Sequence, residues 1–553
     1  MQTRVKIVFY LFVVWLFLAL FRLFHFQVMS KTLNYANVSN KKLSAERGKI
    51  YTADSSPLAI NERIYTLYFD KSKTNDWEKY SAELSALLNI DQSTISARIK
   101  NYSVWVPIKN NLTLADKFVL EEKLDTKPLY FEESFSRYYP EASDSAHLTG
   151  FVGKNEKGES VGYFGIEGYY DEILTGLSGV FKSEKGGGGL PFIFGLQEVI
   201  NPINGADLYL TVDKGIQSIV KKRTASAVER YGAKLGCSIV AEVATLKIKA
   251  LSCLPDFDPN LYATASPSAF VNPVISNVYE PGSIFKPLVV AMALQEQKIT
   301  PTTVVNESGP VQFGQYFIKT WDNKYEGRIT VTKVLQRSSN VGMIRIQEKL
   351  SDDVFFNYLK DFGFFEKTGI DLQGEVNSVI KPQQSWYPID YAVASFGQGI
   401  AVTPIQMLSA FDAIINDGVL LKPYVVDKIV QGNKVKIITP EQKRRVISSK
   451  TSEQIRKLLV EVVRSGEVKW DVPAGYLIGG KTGTAQIAVE GKYDPDKTLA
   501  SFIGFFPADQ PKFIIMTMLK EPSASIWGSE TAAPLFFEIV KDLILYYNIA
   551  SSY

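Results

Sequence analysis

The segment Glu280-Pro-Gly-Ser-Ile-Phe-Lys-Pro287 places a serine and a lysine three residues apart. On a helix, this spacing puts the side chains of Ser283 and Lys286 on one face, one above the other. A serine hydroxyl is a weak nucleophile until a base takes its proton, and a lysine can be that base if its ammonium form is disfavoured. Pro281-Gly282 predicts a turn into an apolar helix over residues 284–294, with Ser283 at its N-terminus. The alternative to a catalytic pair is an ordinary capped core helix with an exposed lysine, and the motifs in the rest of the chain decide between these two interpretations.

The composition of the 553-residue chain is that of a globular protein with more than one domain. The net charge of +3 gives no argument for a nucleic-acid partner. The only histidines are His25 and His147, and there are two cysteines, which excludes a His-rich metal site and a structural zinc site built by cysteines alone. We therefore expect no metal and no cofactor, and a serine enzyme of this composition would use lysine as its base more readily than histidine.

The N-terminus has the pattern of a membrane anchor. Residues 1–6 carry two positive charges, and residues 7–26 are apolar except for Arg22 and His25, which is about the length that spans a bilayer. A cleaved signal peptide is the alternative, but the apolar stretch is rich in Phe and Trp and no small-x-small cleavage site follows. We predict a cytoplasmic tail over 1–6, one transmembrane anchor over 7–26, and the rest of the chain outside the cytoplasmic membrane.

The remaining chain shows two patterns that meet near residue 205. Residues 27–205 mix strand-like and amphipathic helical segments with a flexible Gly186-Gly-Gly-Gly189, which favours a spacer or docking domain without catalytic residues. Residues 206–553 give the order strand, helix, hairpin, helices, strands, helix. This order predicts an α+β domain in which an antiparallel sheet is flanked by helices and an all-helical part is inserted.

The two cysteines lie in the predicted hairpin, at equal distances from Thr245. If the chain turns at Thr245, Cys237 and Cys253 face each other across the two strands. Outside the cytoplasm they could form a disulfide. We favour two buried free thiols, because cross-strand geometry rarely suits the bond.

Two further motifs follow the serine–lysine pair in a fixed order. Ser338-Ser-Asn340 falls in a loop between two helical segments, and Lys481-Thr-Gly483 falls on a strand, preceded by Gly479-Gly480 and followed by Thr484. Each motif alone is a weak signal. The ordered triple is typical of serine enzymes that react with penicillins.

With these motifs the chain resembles the class B penicillin-binding proteins, which are membrane-anchored peptidoglycan D,D-transpeptidases. The resemblance covers nearly the whole length and includes Arg47-Gly48 with Ile50, Tyr139-Pro140, Gly165-Ile-Glu167 with Tyr170-Asp171, Leu210-Thr-Val-Asp213 with Gln217, Phe257-Asp-Pro-Asn260, and Phe396-Gly-Gln-Gly399 with Thr403-Pro404. It implies an elongated pedestal, or dimerisation-type domain, over 27–205 and a penicillin-recognising transpeptidase domain over 206–553. The chain departs from the family at Thr52, Ser55 and Leu246, where Asp, Gly and Gly are usual.

The resemblance also implies how the acylation half-reaction proceeds. Ser283 attacks the carbonyl of the penultimate D-Ala of a stem peptide, and the terminal D-Ala leaves. Lys286, neutral when it acts, takes the serine proton, and burial together with the charge of Lys481 lowers its pKa. Ser338 relays a proton to the leaving amine, and Asn340 holds the substrate amide or Lys286.

The same resemblance assigns the binding groups. Lys481 and the hydroxyls of Thr482 and Thr484 bind the terminal carboxylate, and Gly483 leaves room for the substrate backbone. The backbone N–H groups of Ser283 and Thr484 form the oxyanion hole. An amine of a neighbouring stem peptide then resolves the acyl-enzyme, whereas a β-lactam acylates the serine and stays.

Other functions of the same motifs remain open at this stage. A β-lactamase-like penicillin hydrolase would share the motifs but needs a way to activate water and no long pedestal. A β-lactam sensor would need an intracellular signalling part, and only residues 1–6 precede the anchor. A catalytically silent scaffold of a wall-synthesis complex is a third alternative. The family implies a SEDS-type glycan polymerase as partner, contacted through anchor and pedestal. Resemblance within residues 137–153 leans towards division over elongation, without deciding between them.

Overall fold

The computed structural model describes residues 2–25, 38–102, 104–184, 197–465, 470–489 and 492–552. The α-helices in these ranges are α1 (Gln2–Phe24), α2 (Trp77–Leu88), α3 (Gln92–Asn101), α4 (Leu114–Lys123), α5 (Ala146–Thr149), α6 (Gly165–Tyr169), α7 (Asp171–Thr175), α8 (Lys214–Tyr231), α9 (Pro273–Ser276), α10 (Lys286–Gln295), α11 (Val331–Gln336), α12 (Asn340–Gln347), α13 (Asp352–Asp361), α14 (Pro388–Ala394), α15 (Pro404–Ile415), α16 (Ser449–Arg464) and α17 (Ala532–Tyr547).

The strands in the same ranges are β1 (Val38–Leu43), β2 (Ile50–Tyr51), β3 (Pro57–Asp70), β4 (Trp105–Leu112), β5 (Leu129–Tyr138), β6 (Phe151–Lys154), β7 (Ser160–Tyr163), β8 (Gly179–Glu184), β9 (Gln197–Ile200), β10 (Asp207–Leu210), β11 (Leu235–Glu242), β12 (Ile248–Leu254), β13 (Val304–Glu307), β14 (Val311–Phe313), β15 (Tyr316–Ile318), β16 (Gly327–Thr330), β17 (Val419–Leu421), β18 (Val426–Gln431), β19 (Lys434–Ile437), β20 (Gln442–Arg445), β21 (Gly479–Val489), β22 (Lys492–Phe506) and β23 (Phe513–Lys520).

The first compact unit comprises Met1–Ala45 and Gly176–Asn204. Helix α1 contains the segment Val5–Phe24, which is long and apolar enough to cross a membrane and has no buried residues. The helix confirms the apolar element predicted at the N-terminus. Strands β1, β8 and β9 form an antiparallel sheet. The four glycines at 186–189 lie outside the described residues.

The second compact unit comprises Glu46–Thr175 and Gly205–Tyr553. One of its sheets has the strand order β19-β18-β10-β2-β3-β4, and β5 also pairs with β3. The pair β2–β10 is parallel, whereas the other pairs are antiparallel. Strands from both sides of the predicted boundary at 205 therefore share one hydrogen-bonded sheet, and the boundary itself stays a prediction.

The segment Glu46–Thr175 of this unit contains a buried ion-pair cluster. Glu167, which is fully buried, pairs with Arg47 and with Arg137 at 2.6 Å each. Arg47 also reaches Asp171 at 2.7 Å. Because an unpaired charge in this position would be costly, the four segments that carry these residues are held in one arrangement.

Residues 206–553 have the architecture that the order of elements predicts. Five antiparallel strands lie in the order β12-β11-β23-β22-β21, and β21 forms one edge of the sheet. Successive residues of β11 point to opposite faces. Ile239 packs into the core that contains α10 and α15, and Val240 packs into the core that contains α8 and α17. The α+β class and the helices on both faces are confirmed.

The inserted part is not purely helical. Helices α11 to α16 form it as expected, but residues 304–330 contain two small hairpins, β13 with β16 and β14 with β15. These strands were not predicted from the sequence. They are only three or four residues long, so period-two alternation has little room to appear.

The hairpin β11–β12 corrects the interpretation of the cysteines. Cys237 and Cys253 are direct cross-strand partners, as the turn near Thr245 predicted. They are joined by a disulfide, however, so the favoured interpretation of two free thiols is wrong. The direct pairing brings their Cα atoms to 4.2 Å, close to the separation of a non-hydrogen-bonded antiparallel pair.

Two departures from the family pattern occupy left-handed backbone conformations. Leu246 has φ +54° at the hairpin turn, and Ser55 has φ +64° in the turn between β2 and β3. Glycine adopts this region without steric cost, which explains why the family prefers it there. This chain retains the turns with side chains at both positions.

Candidate active site

The turn that carries Ser283 is tighter than predicted. Residues Gly282–Phe285 form a 3-10 turn, and the α-helix α10 begins at Lys286 and not at residue 284. Gly282 has φ +58°, and its N–H donates to Gly397 O at 2.9 Å. Pro287 lies in the first turn of α10, where its missing N–H costs no hydrogen bond. The half-buried Ser283 is thereby presented at the end of a wholly buried helix.

Lys286 is fully buried and is held by the second motif. Its Nζ donates to Ser338 O at 2.5 Å, to Ser338 Oγ at 3.1 Å and to Asn340 Oδ1 at 2.8 Å. Among the hydrogen bonds of the described residues, none joins Lys286 to the Ser283 hydroxyl. Burial, and then the charge of Lys481, lower the pKa of Lys286 well below its ordinary value, while the carboxylate of Glu307 opposes them. Both causes are those that the role of a neutral base requires.

The second motif occupies a turn between two helices. Ser338 has φ +55°, a left-handed conformation that is uncommon for residues other than glycine. Ser339 caps helix α12, its Oγ accepting from Gly342 N at 2.9 Å. Trp321 Nε1 donates to Arg337 O at 3.0 Å on the other side of the turn. These contacts fix Ser338 and Asn340 towards Lys286.

The third motif lies on the edge strand β21. Lys481 is buried, and its Nζ lies 3.3 Å from both Thr482 O and Thr482 Oγ1. Thr484 Oγ1 accepts a hydrogen bond from Gly528 N at 3.0 Å. The Thr484 hydroxyl proton is therefore free to be donated elsewhere, because the acceptor site is the one that Gly528 uses.

Gly483 is required by the packing of the protein around β21. A Cβ at this position would lie 2.4 Å from Ser501 Oγ, 3.0 Å from Ile284 Cγ2 and 3.2 Å from Pro281 O. The space that the missing side chain leaves is thus filled by the protein itself, and room for a substrate backbone beside the strand stays a prediction. Glycine here lets β21 approach the turn that carries the serine.

A single cleft brings most of the predicted residues together. It is lined by Gly282, Ser283, Trp321, Gln336, Arg337, Ser338, Asn340, Phe396, Gln398, Val462, Trp470, Lys481, Thr482, Thr484, Trp527 and Ser529. Lys286 lies behind this surface, and Gly483 packs under it. His147 does not line the cleft: it is buried, and its Nε2 contacts Ala269 O at 3.0 Å.

Several residues of the site escaped the sequence analysis. The cleft contains three tryptophans, and the rings of Trp321 and Trp527 meet edge to face at 5.4 Å. Gly528 N donates to Thr484 Oγ1, and the negative charge of Glu307 favours the ammonium form of Lys286. The sequence carried no local signal for Glu307, because its burial at the end of the four-residue strand β13 is visible only in the structure.

Comparisons with known proteins agree with this fold. The penicillin-binding protein dimerisation domain matches residues 42–210, and the penicillin binding protein transpeptidase domain matches residues 236–541. Among solved structures, that of Penicillin Binding Protein 2X from Streptococcus thermophilus shares the fold with a TM-score of 0.79 at 24% identity, over 92% of this chain and 80% of that one.

Two relatives extend the match along the chain. Stage V sporulation protein D of Bacillus subtilis (strain 168) is 33% identical over 551 residues, covering 95% of this chain and 84% of the relative. Peptidoglycan D,D-transpeptidase FtsI of Escherichia coli (strain K12) is 29% identical over 532 residues, covering 92% and 85%. The chain therefore belongs to the class B penicillin-binding proteins, the family of peptidoglycan D,D-transpeptidases.

Proposed function

We propose that this protein cross-links peptidoglycan stem peptides through an acyl-enzyme on Ser283. The serine Oγ bonds to the carbonyl carbon of the penultimate D-Ala, and the amide bond to the terminal D-Ala breaks. The serine proton passes to Lys286, and a proton reaches the leaving amine through Ser338. An amine of a second stem peptide then attacks the ester, forms the cross-linking amide and returns a proton to Ser283.

The observation that carries this proposal is the environment of Lys286. A fully buried lysine with a strongly lowered pKa, held by Ser338 and Asn340, is the base that a serine nucleophile requires when histidine is absent from the cleft. A capped core helix with an exposed lysine would have neither the burial nor these partners.

The binding groups support the same reaction. Lys481, Thr482 and Thr484 line the cleft beside Ser283 and carry the donors that a terminal carboxylate needs. Backbone N–H groups of Ser283 and Thr484 are proposed as the oxyanion hole. A Cβ on Gly282 would lie 3.5 Å from Thr484 O, so the two backbone segments are neighbours. Since β21 is a sheet edge, a peptide substrate can also extend the sheet beside it.

The cellular placement is part of the proposal. We assign residues 1–6 to a cytoplasmic tail, 7–26 to a single-pass anchor in the cytoplasmic (inner) membrane, 27–205 to the pedestal and 206–553 to the transpeptidase domain outside that membrane. The disulfide Cys237–Cys253 supports an extracytoplasmic location, because disulfides persist in oxidising compartments. A SEDS-type glycan polymerase is the proposed partner of the anchor and pedestal.

Gel labelling with a fluorescent penicillin tests the proposal, with Ser283→Ala beside the wild type. We expect a stable band in the wild type only. Absence of a band in folded wild-type protein would favour the catalytically silent scaffold. Rapid turnover of a chromogenic cephalosporin would favour the penicillin hydrolase instead.

A further inference from the structure

A buried carboxylate lies directly behind the Ser338 turn, residues 337–340. Glu307, at the end of β13, is fully buried. The Ser339 hydroxyl donates to Glu307 Oε1, and Arg337 Nη1 lies 3.5 Å from Glu307 Oε2. One carboxylate thus contacts the residues on both sides of Ser338.

These contacts hold a conformation that the backbone alone disfavours. Ser338 has φ +55°, and such a conformation persists only where its surroundings over-determine it. Ser339 uses its hydroxyl fully, since it donates to Glu307 and accepts from Gly342 N at 2.9 Å. The carbonyl and hydroxyl of Ser338 are thereby directed at Lys286 Nζ, at 2.5 and 3.1 Å.

The charges around Lys286 give the carboxylate a second role. Glu307 holds Ser339 and Arg337, the two neighbours of Ser338, and Ser338 itself contacts Lys286 Nζ, so the negative charge lies close to Lys286. This charge favours the ammonium form of Lys286, whereas the positive charge of Lys481 disfavours it. Arg337 is 2% exposed, and its charge is shared with Asp322 at 3.4 Å and Glu326 at 2.9 Å. When Lys286 takes the serine proton it becomes a buried ammonium, and Glu307 provides a fixed negative charge for that state.

We propose that Glu307 is a positioning residue for the acylation reaction: it holds the Ser338 turn and supplies the negative charge that faces Lys286. This inference rests on the proposed function. The two contributions are separable, because the hydroxyl of Ser339 transmits only the first and the charge of Glu307 gives the second.

The test measures the rate constant of acylation by a fluorescent penicillin, with full-length protein in detergent, from about pH 5 to about pH 9. For Glu307→Gln we expect a plateau about tenfold lower and an acid limb shifted to lower pH. The shift follows because removal of the negative charge makes Lys286 easier to deprotonate. For Ser339→Ala we expect the lower plateau with the acid limb unchanged.

Glu326→Gln is the matched control, because it removes a carboxylate from Arg337 without touching Ser339. It should reproduce the wild-type profile. A merely structural role of Glu307 would lower the plateau and leave the acid limb in place, and that result would overturn the assignment of the charge. Wild-type rates in Ser339→Ala would overturn the positioning role.

Two outcomes keep the test decisive. If Glu307→Gln fails to fold, Glu307→Asp retains the charge, and it should keep the wild-type acid limb while lowering the plateau; a shifted limb in this variant would refute the proposal. If the folded wild type is not labelled at any pH, the proposed function fails. If the wild type is labelled normally and the Glu307 and Ser339 variants behave like it, only the inference about Glu307 fails.

Discussion

Asn340 Oδ1 accepts a hydrogen bond from Lys286 Nζ at 2.8 Å, while Asn340 Nδ2 donates to Lys319 O at 3.2 Å. The amide group is therefore engaged at both ends in the free protein. Of the two roles that the resemblance allowed, holding Lys286 or holding the substrate amide, this arrangement favours the first. The lysine is fixed by the second motif before any substrate arrives.

Changes at Asn340 should separate geometry from charge. Asn340→Ala removes an acceptor from a buried lysine, so we expect acylation to slow about tenfold or more. Asn340→Asp places a negative charge beside Lys286, raises its pKa and moves the acid limb of the pH–rate profile to higher pH. Labelling rates across the pH range measure both effects. An Asp variant that matches the wild type at every pH would contradict this role.

Lys286→Ala should abolish labelling as completely as Ser283→Ala, because the nucleophile and its base act as a unit. The measurement is band intensity after prolonged exposure to fluorescent penicillin. Lys333→Ala, an exposed lysine on α11, is the control and should label normally. Near-normal labelling of the Lys286 variant would refute the assignment of the base.

Gly528→Ala should impair the site without unfolding the chain. Its Cβ would lie 2.2 Å from Gly483 O, so the loop must withdraw from β21 and the hydrogen bond to Thr484 is lost. We expect acylation to slow about tenfold, because one neutral hydrogen bond and its alignment are removed. Gly309→Ala meets nothing within 4 Å and is the matched control. Equal rates in both variants would show that the contact is dispensable.

Glu167→Gln should destabilise the protein strongly. The substitution leaves the buried guanidinium groups of Arg47 and Arg137 without the carboxylate that pairs with both of them. We expect this loss to cost about 3–5 kcal/mol. Glu133→Gln breaks the exposed pair with Arg63 at 3.6 Å and should cost about 0–1 kcal/mol. Denaturant unfolding of both variants makes the comparison, and similar losses would contradict the importance of burial.

Acid should weaken the fold through His147. Burial lowers the pKa of His147 from 6.5 to about 4, so the unfolded chain binds the proton first as the pH falls. The stability that the neutral ring contributes is complete above pH 6.5 and is lost down to about pH 4, at a cost on the order of 3 kcal/mol. His147→Gln should remove that part of the acid loss. Equal acid sensitivity of wild type and variant in unfolding experiments would disprove it.

The elements that the sequence predicted are those with long, regular patterns. The apolar stretch predicted at the N-terminus is helix α1, and the apolar helix predicted after Ser283 is α10, although α10 begins two residues later than expected. The pairing of Cys237 with Cys253 also followed from counting residues to the turn. Local periodicity and turn position suffice in such cases, because each depends on neighbours in sequence.

The rest depends on approaches between distant segments. Glu307 is 32 residues from Ser339, and Gly528 is 44 residues from Thr484. Nothing local marks either contact. The packing role of Gly483 was not predicted for the same reason, because the atoms nearest its Cβ position belong to Ser501, Ile284 and Pro281. The disulfide was not predicted, because cross-strand cysteine pairs rarely have suitable geometry and the sequence does not reveal whether a particular pair does.

The sheet shared by β3, β2, β10 and β18 has a mechanical consequence. Main-chain hydrogen bonds connect β3 through β2 to β10, with a register shift in the β2–β3 pair, and β10 is followed after three residues by helix α8, which packs on the five-stranded sheet. A force applied to β3 is therefore transmitted to β10 through hydrogen-bonded strands and not through a flexible linker. Within this unit, the positions of β3 and β10 are therefore coupled through main-chain hydrogen bonds.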